Sequence, residues 1–414
     1  MTQSTVSGAR PTDLIVIGAG IVGLSIAKAW KERNPRASVL IVDKEESVAQ
    51  HSSGRNSGVL HAGFYYAPDS LKARLTREGN EQLRAFCVEN GIPVRATGKV
   101  VVTKSEREIP RLIELYERGV ANKCELEIVD ENQLRELEPY ARTVDRALWS
   151  PRTAVANPVL VTRRLAEHVQ RLGCEIRMGQ QVVSGRDSHI VLRSGEKLHA
   201  SHIVNAAGLY ADSVAHWFGI GHEYAMLPFK GLYLYGNWPN YSLSRQVYPV
   251  PDPRNPFLGV HVTTTSDGRV KIGPTAIPAF RREDYGSIWE GDAEEFREIV
   301  NLYPRFLTSR KHNVPALVTA EFPKYLKFYL AAQAKKLVPR IQYRDFVERG
   351  RPGVRAQLLH KPDKSLVMDF LVLGNSQSTH MMNVVSPAWT SALAVGDYTV
   401  EQIHAGGFAN HSTY

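Results

Sequence analysis

A chain of 414 residues, 43% hydrophobic and 22% charged, can bury a large core and is long enough for two domains. Its formal charge of +9 points to a nucleic acid, a membrane surface or an acidic small molecule as partner. The Lys and Arg are scattered and no nucleic-acid module with interleaved aromatics is present, so nucleic acid is set aside and the other two remain.

Along the chain, "MTQSTVSGARPT" lacks a basic start followed by an apolar run and reads as a loose tail rather than a signal peptide. "DLIVIGAG" from Asp13 reads as a buried parallel strand, "IVGLSIAKAWKERNP" as a helix closed by Pro35, and "SVLIVDKE" as a second strand. Glycines and lysines interrupt this opening, so it does not form a membrane span. Between Gly91 and Pro158 the pattern turns to shorter strands and polar helices such as "EREIPRLIELYERGVANK". A helix, "PVLVTRRLAEHVQRLG", then precedes the strands "CEIRMGQQVV", "HIVLRS" and "ASHIVNAAG". Aromatics, prolines and β-branched residues from Ala225 to Thr275 predict an antiparallel sheet with hairpins such as "TTTSDGRVKIG". The last third returns to a strand, "DFLVLGN", and a helix, "SPAWTSALAVGDYTVEQI". Cys87, Cys124 and Cys174 are far apart, odd in number and in no metal-ligand spacing, so no metal site is expected and a reducing cytoplasm is the natural compartment.

The first chemical motif is Gly18-Ala19-Gly20-Ile21-Val22-Gly23, placed between a strand and a helix, with Asp43 ending the next strand. In such a turn Gly18 permits the bend, Gly20 lets a pyrophosphate approach the backbone, and Gly23 lets helix and strand pack closely. The helix N-terminus offers N–H groups to phosphates, and Asp43 can accept from a ribose hydroxyl. The stretch "HSSGRNSGVLHAGFYY" offers a second set of close backbone contacts, which favours FAD over NAD. No second dinucleotide fingerprint exists, since the pair Gly219 and Gly221 lacks a third glycine. Electrons are therefore expected directly from a substrate. The predicted fold is α/β: a Rossmann-like FAD-binding domain with a parallel sheet, assembled from residues 1–90, 150–222 and 346–414. A second, β-rich α+β substrate domain takes 91–149 and 223–345.

Four blocks, "NSGVLHAGFYYAPDSLKA", "VYPVPDPRNPFLGVHVT", "GPTAIPAFRREDY" and "GVRAQLL", are more specific than the glycine motif. Through them the chain resembles the L-2-hydroxyglutarate oxidase and dehydrogenase branch of the FAD-dependent oxidoreductases, which include D-amino-acid oxidase and glycine oxidase. The likeness runs from "DLIVIGAGIVG" to "SPAWTSALAVG". Two positions depart from it: Asp43 stands where the family usually has Glu, and Leu232 in "PFKGLYL" stands where an acidic residue is expected.

The resemblance implies that Ser52, Ser53, Arg55, Asn56, Ser57 and Gly58 run along the FAD, where small side chains let the ring approach. Lys44, Val182, Ala207 and Gly208 are expected to complete the cofactor's surroundings. Asn383, Ser386 and Pro387 mark a turn that starts a helix at the pyrimidine end of the ring, its dipole facing the charge that develops there. The implied reaction is oxidation of a 2-hydroxy diacid: a base takes the hydroxyl proton while hydride passes to the flavin, leaving a 2-oxo acid. Such a base is expected to have a pKa near neutrality. His61 and His261 compete for the role, with His261 favoured and His61 beside it at the ring with Tyr65 and Tyr66. Arg355 and Lys230 are expected to hold carboxylate, assisted by Tyr66.

One further segment, within residues 324–344, places Leu326, Leu330 and Leu337 on one helical face with Lys324, Lys327 and Lys335 displaced from it. It reads either as a core-packed helix or as a basic surface helix on an anionic membrane, near quinone. Oxygen and quinone both stay open as acceptors, and the expected location is cytoplasmic, with peripheral attachment to the membrane's inner face in the second case. An amine or amino-acid oxidase of the same fold, and a non-catalytic flavin-binding protein, are the alternative readings.

Overall fold

The computed structural model describes residues 12–236, 243–252, 257–286, 292–309, 319 and 321–406. The first sheet forms where the sequence is most apolar. Thr12–Ile17 pairs in parallel with Val39–Val42 on one side and with Lys197–Asn205 on the other, and Ser378–Asn383 joins Lys197–Asn205 from the far end of the chain. Glu175–Arg177 extends the parallel run beyond Val39–Val42. Both faces of these strands are covered, as expected for parallel strands carrying continuous Val, Ile and Leu. Leu14 and Val16 face helices Ile21–Arg33 and Ala388–His404, while Ile15 and Ile17 face the layer holding Val214 and Ile190.

The second sheet has eight strands in the order Phe346–Arg349, Leu234–Gly236, Val270–Gly273, His261–Thr264, Gln246–Pro249, Lys99–Val102, Arg146–Ser150 and Glu127–Asp130. A smaller antiparallel sheet, in which Tyr224–Gly231 pairs along its length with Gly353–His360, lies between the two large ones in sequence. The boundary expected at residue 346 is thereby corrected, because Phe346–Arg349 hydrogen-bonds to Leu234–Gly236 and belongs to the β-rich sheet.

Of the two readings of residues 324–344 the core-packed helix is the one observed, with different bounds. A 3-10 turn covers Phe322–Tyr325 and the helix runs only over Lys327–Lys335, with Leu326 extended between them. That break shifts the helical phase. Leu330, Ala334, Leu337 and Val338 are buried against Val262 and Ile272 of the second sheet, so this apolar face belongs to the core. Lys324 is buried too, in an ion pair with Glu321. What remains exposed is a different group, Phe322, Tyr325, Leu326 and Phe328.

Candidate active site

A single cavity of about 960 Å³ runs from the Gly18–Ile21 turn to His61, His261 and Arg355, lined by residues of the first sheet, the second sheet and the small one. At its first end the glycines do what their spacing predicts. Gly18 has φ +107°, a conformation closed to most side chains, and a Cβ on Gly23 would lie 2.0 Å from the Gly18 carbonyl oxygen. Gly18, Gly20, Ile21 and Val22 line the cavity; Gly23 does not, and serves instead the close packing of helix on strand. Asp43 also lines it, its carboxylate accepting from the Ala19 N–H at 2.7 Å and the Glu45 N–H at 2.9 Å. Each oxygen keeps a lone pair for a hydroxyl. The Ile21–Arg33 helix has no acidic residue in its first turn, and the Asp43 carboxylate stands beside its positive end.

The serine-rich stretch follows the same wall. Ser52, Ser53, Arg55, Asn56 and Ser57 line the cavity, and Ser53 Oγ accepts from the Ile21 N–H at 2.9 Å, tying this loop to the glycine turn. Gly58 sits behind it at φ +73°, where a Cβ would lie 2.3 Å from the Ala156 carbonyl oxygen. Lys44, Val182, Ala207 and Gly208 close this half of the cavity. Lys44 pairs with Glu45 and with Glu283 at 2.7 Å, and His51 donates from Nε2 to the Glu45 carboxylate at 2.9 Å while its Nδ1 lies 2.9 Å from the Tyr285 hydroxyl. Glu45, His51 and Glu283 stand close enough together to surround a metal ion, but the Lys44 ammonium already supplies the positive charge between the two carboxylates.

At the other end, Ser386, Pro387, Ala388 and Thr390 line the cavity where the Ala388–His404 helix begins, again with no acidic residue in the first turn. Thr390 Oγ1 accepts from the His61 N–H at 3.2 Å and donates to the Val59 carbonyl at 3.0 Å, which pins the histidine's strand to this helix. Asn383 is not part of the lining. Its buried amide accepts from the Leu358 N–H and donates to the Val367 and Asp369 carbonyls, so it is a structural bracket rather than a cofactor contact.

His61, Tyr65, Tyr66, Tyr233, Tyr248, His261 and Arg355 converge on the same part of the cavity. His261 stacks on Tyr248 with ring centroids 3.8 Å apart and planes 13° from parallel. Its Nδ1 lies 2.9 Å from the Gly259 carbonyl oxygen. A carbonyl only accepts, so Nδ1 carries the hydrogen and Nε2 is bare. Burial, with Lys99, Lys271 and Arg355 nearby, pushes His261 down to about 3, which corrects the expectation of a base already poised near neutrality. Burial likewise holds His61 well below its ordinary value, with Lys99 and His261 adding to the effect. The hydroxyls of Tyr65, Tyr66 and Tyr248 are raised by burial and stay protonated, and that of Tyr65 is buried with no hydrogen-bond partner among the described residues, an orphan beside the cavity.

Arg355 donates from Nη1 to the Thr275 carbonyl at 2.9 Å, leaving its other N–H groups for a carboxylate. Lys230, expected to share that task, does not line the cavity: its ammonium is 2.7 Å from Asp284, in a pair nearly closed to solvent. Leu232 is also outside the lining, and its backbone exchanges hydrogen bonds with Thr275. Its neighbours Gly231 and Tyr233 form the wall instead.

Three lysines escape sequence reasoning and surround this region. Lys99 and Lys271 are buried in strands of the second sheet and pushed down by burial to about 7 and about 8. Lys72, buried at the start of the Leu71–Glu89 helix, is pushed to about 8 and donates to the Met368 carbonyl at 2.5 Å. The signal for Lys99 was a charge inside the apolar run "TGKVVV". Arg111 and Arg118, on the Ile109–Ala121 helix, add cations to the cavity's outer wall beside Glu114 and Asp252.

These features fit a long dinucleotide cofactor with a ring at the histidines: two helix N-termini with no acidic residue in their first turns, a carboxylate beside one of them that can accept from a hydroxyl, and room continuous between them. Comparison with known proteins agrees. The sequence model of a family described as FAD dependent oxidoreductase matches residues 13–402. An L-2-hydroxyglutarate dehydrogenase of Indibacter alkaliphilus is 36% identical over 94% of this chain and 98% of its own length. The proteins of that name from Escherichia coli K12 (34% identical, 94% of this chain and 93% of its own) and, as a mitochondrial form, from Homo sapiens (33%, 94% and 88%) are similar to nearly the same extent. Among solved structures, L-α-glycerophosphate oxidase from Mycoplasma pneumoniae with FAD bound superposes with a TM-score of 0.77 at 21% identity over 96% of this chain and 95% of that one. Glycine oxidase from Geobacillus kaustophilus does so with a TM-score of 0.71 at 17% identity, covering 97% and 96%. Matched along almost its whole length, the chain belongs to the FAD-dependent oxidoreductase family.

Proposed function

We propose that this enzyme oxidises L-2-hydroxyglutarate to 2-oxoglutarate, with His261 as the base. The observation that carries the assignment of the base is the hydrogen bond from His261 Nδ1 to the Gly259 carbonyl, which leaves Nε2 bare in a cavity also lined by Arg355. The substrate class rests on the relatives named above, supported by the cationic lining. A bound FAD, held along the Gly18–Val22 and Ser52–Ser57 walls, would supply the two-electron acceptor for the α-carbon's hydride, so that the alcohol becomes a ketone.

The protein's own residues do the rest. Arg355 grips one carboxylate with a planar fork of N–H groups, the geometry that suits a carboxylate best. The protonated hydroxyls of Tyr65 and Tyr66 donate to the same diacid, which gives the orphan Tyr65 hydroxyl an acceptor. Two negative charges entering beside His261 raise its affinity for a proton, offsetting the pull of the surrounding cations at the moment the hydroxyl proton must leave. The Tyr248 ring, stacked flat on the imidazole, keeps Nε2 aimed while this happens.

The acceptor proposed is a membrane quinone, reached by peripheral attachment to the inner face of the cell membrane. Phe322, Tyr325, Leu326 and Phe328 are exposed together, and the exposed Lys335, Lys336 and Arg340 follow in the chain. An apolar group next to cations matches an anionic lipid surface.

One anaerobic experiment tests substrate and acceptor. L-2-Hydroxyglutarate is expected to bleach the flavin absorbance of the purified enzyme, and the D enantiomer, L-lactate, glycerol 3-phosphate and amino acids are not. Arg355→Met is expected to weaken reduction by about 30- to 160-fold, chiefly through substrate affinity, as loss of a charged hydrogen bond of about 2–3 kcal/mol implies. Reduced enzyme is then mixed with air or with quinone in anionic vesicles. Bleaching by an amine instead sinks the substrate assignment; fast reoxidation by air and none by quinone sinks the acceptor.

A further inference from the structure

Lys99 stands at the start of the Lys99–Val102 strand, every residue of which is buried. Strand alternation divides that segment. Val100 and Val102 enter the core of the second sheet, while Val101 faces the layer that holds Ala62, Phe64 and Tyr248. Lys99 shares the face of Val101, so its ammonium enters an apolar layer directly beneath His61. Its Nζ lies 3.3 Å from His61 Nδ1 and 4.3, 5.0 and 5.3 Å from the ring centroids of Tyr248, Tyr65 and Phe64. Among the described residues no carboxylate pairs with it, and the side-chain lone pair it reaches is that of the histidine. Lys99 itself does not line the cavity; His61 does.

We propose that Lys99 is a positioning residue acting through His61: by donating to Nδ1 it fixes the imidazole in the tautomer with hydrogen on Nε2. The two histidines then carry opposite roles. His61 offers the cavity a donor, and His261, held the other way by the Gly259 carbonyl, offers the acceptor. The donor and the bare nitrogen together match a hydroxy acid, whose hydroxyl gives up a proton while its oxygen becomes a carbonyl acceptor. The strength of Lys99's need for that contact follows from its burial, which pushes it to about 7 with no charge to offset the loss of water. This inference rests on the assignment of His261 as base.

The test uses holoenzyme labelled with 15N-histidine, with the His61 signals assigned by their disappearance in His61→Gln. In the parent, His61 is expected to show hydrogen on Nε2 and a bare Nδ1; in Lys99→Met the two forms interchange or mix. The rate of anaerobic flavin reduction at saturating L-2-hydroxyglutarate falls about tenfold in Lys99→Met, what loss of one hydrogen bond from His61 to the reacting hydroxyl implies. KM stays within about threefold, because the lost contact does not touch the substrate. Lys99→Arg, which still donates, restores most of the rate, and Lys99→Leu serves as the non-donating variant where the methionine protein does not fold. Unchanged His61 signals in Lys99→Met, or a slow Lys99→Arg with the parental tautomer, overturns the inference. Failure of the His261 assignment is read separately, as fast reduction in His261→Gln, and leaves the His61 signals still informative.

Discussion

Replacing His261 with Gln is expected to slow anaerobic flavin reduction by L-2-hydroxyglutarate on the order of 10³-fold. FAD content and the thermal midpoint are expected to stay close to the parent's. The reason is local. Gln is close to the length of His and can still reach the Gly259 carbonyl, but it offers no nitrogen that accepts and keeps a proton. His61→Gln is expected to be far milder, about tenfold, because the amide can still donate where the imidazole Nε2–H donated. The ranking is therefore the measurement. If His61→Gln is the more damaged of the two, the roles of the histidines are exchanged and the hydrogen bond to Gly259 is only structural. Both variants are best compared over neutral pH, since burial keeps both imidazoles uncharged there before substrate arrives.

The second large effect lies away from the reacting atoms. Arg282 and Asp212 form a hydrogen-bonded ion pair at 2.6 Å with both side chains no more than 2% exposed. The Asp212 carboxylate also accepts from the Met226 N–H, and Arg282 donates to the Leu209 carbonyl. The pair thus ties the loop after the "GPTAIP" strand to the Gly208–Tyr210 turn that lines the cofactor cavity. Asp212→Ala leaves a buried guanidinium that keeps the Leu209 carbonyl but has only the looser Glu295 and Glu298 contacts, at 3.9 and 3.5 Å, as counter-charge, and it leaves the Met226 N–H without its acceptor. The expected destabilisation is about 3–5 kcal/mol, seen as a lower urea midpoint. Arg282→Leu together with Asp212→Ala should recover part of it, because removing both charges also removes the stranded one. A double variant no more stable than Asp212→Ala would show that packing, not charge, is what the pair supplies.

How far the sequence could be read follows from how local each signal is. The glycine turn and Asp43 were legible because a tight turn, a close helix and a ribose carboxylate are set by short spacings. The stretch from Ser52 to Ser57 was placed by the family resemblance instead, and it lines the cavity. Lys230 was not, because its fate depends on strand pairing. Phe229 lies directly opposite Arg355 and shares its face, whereas Lys230, one residue on, pairs with Val354 and turns the other way, towards Asp284. The segment at Lys324 failed differently. Its leucines kept helical spacing on paper, but the extended Leu326 breaks the phase, so Leu326 points out while Leu330 and Leu337 point in. Asn383 looked like a cofactor contact from its neighbours in sequence; only the fold reveals the Leu358 backbone behind it.

The buried ammoniums carry a consequence for the whole molecule. Lys72, Lys99 and Lys271 hold their protons more weakly in the folded chain, at about 8, about 7 and about 8, than in the unfolded one, where the ordinary value is 10.5. Between those limits the unfolded state binds more protons, so stability rises as pH rises from about 7 towards 10. The buried tyrosines act with the opposite sign, since folding raises their values above 10 and the unfolded state loses its phenolic protons first. On the acid side, His202, His261 and His380, pushed down to about 4, 3 and 3, make the unfolded state the better proton acceptor below 6.5. Melting temperature plotted against pH is therefore expected to climb out of the acid range and crest in mildly alkaline buffer. A crest at pH 6 would mean that water or counter-ions reach these lysines in the folded protein.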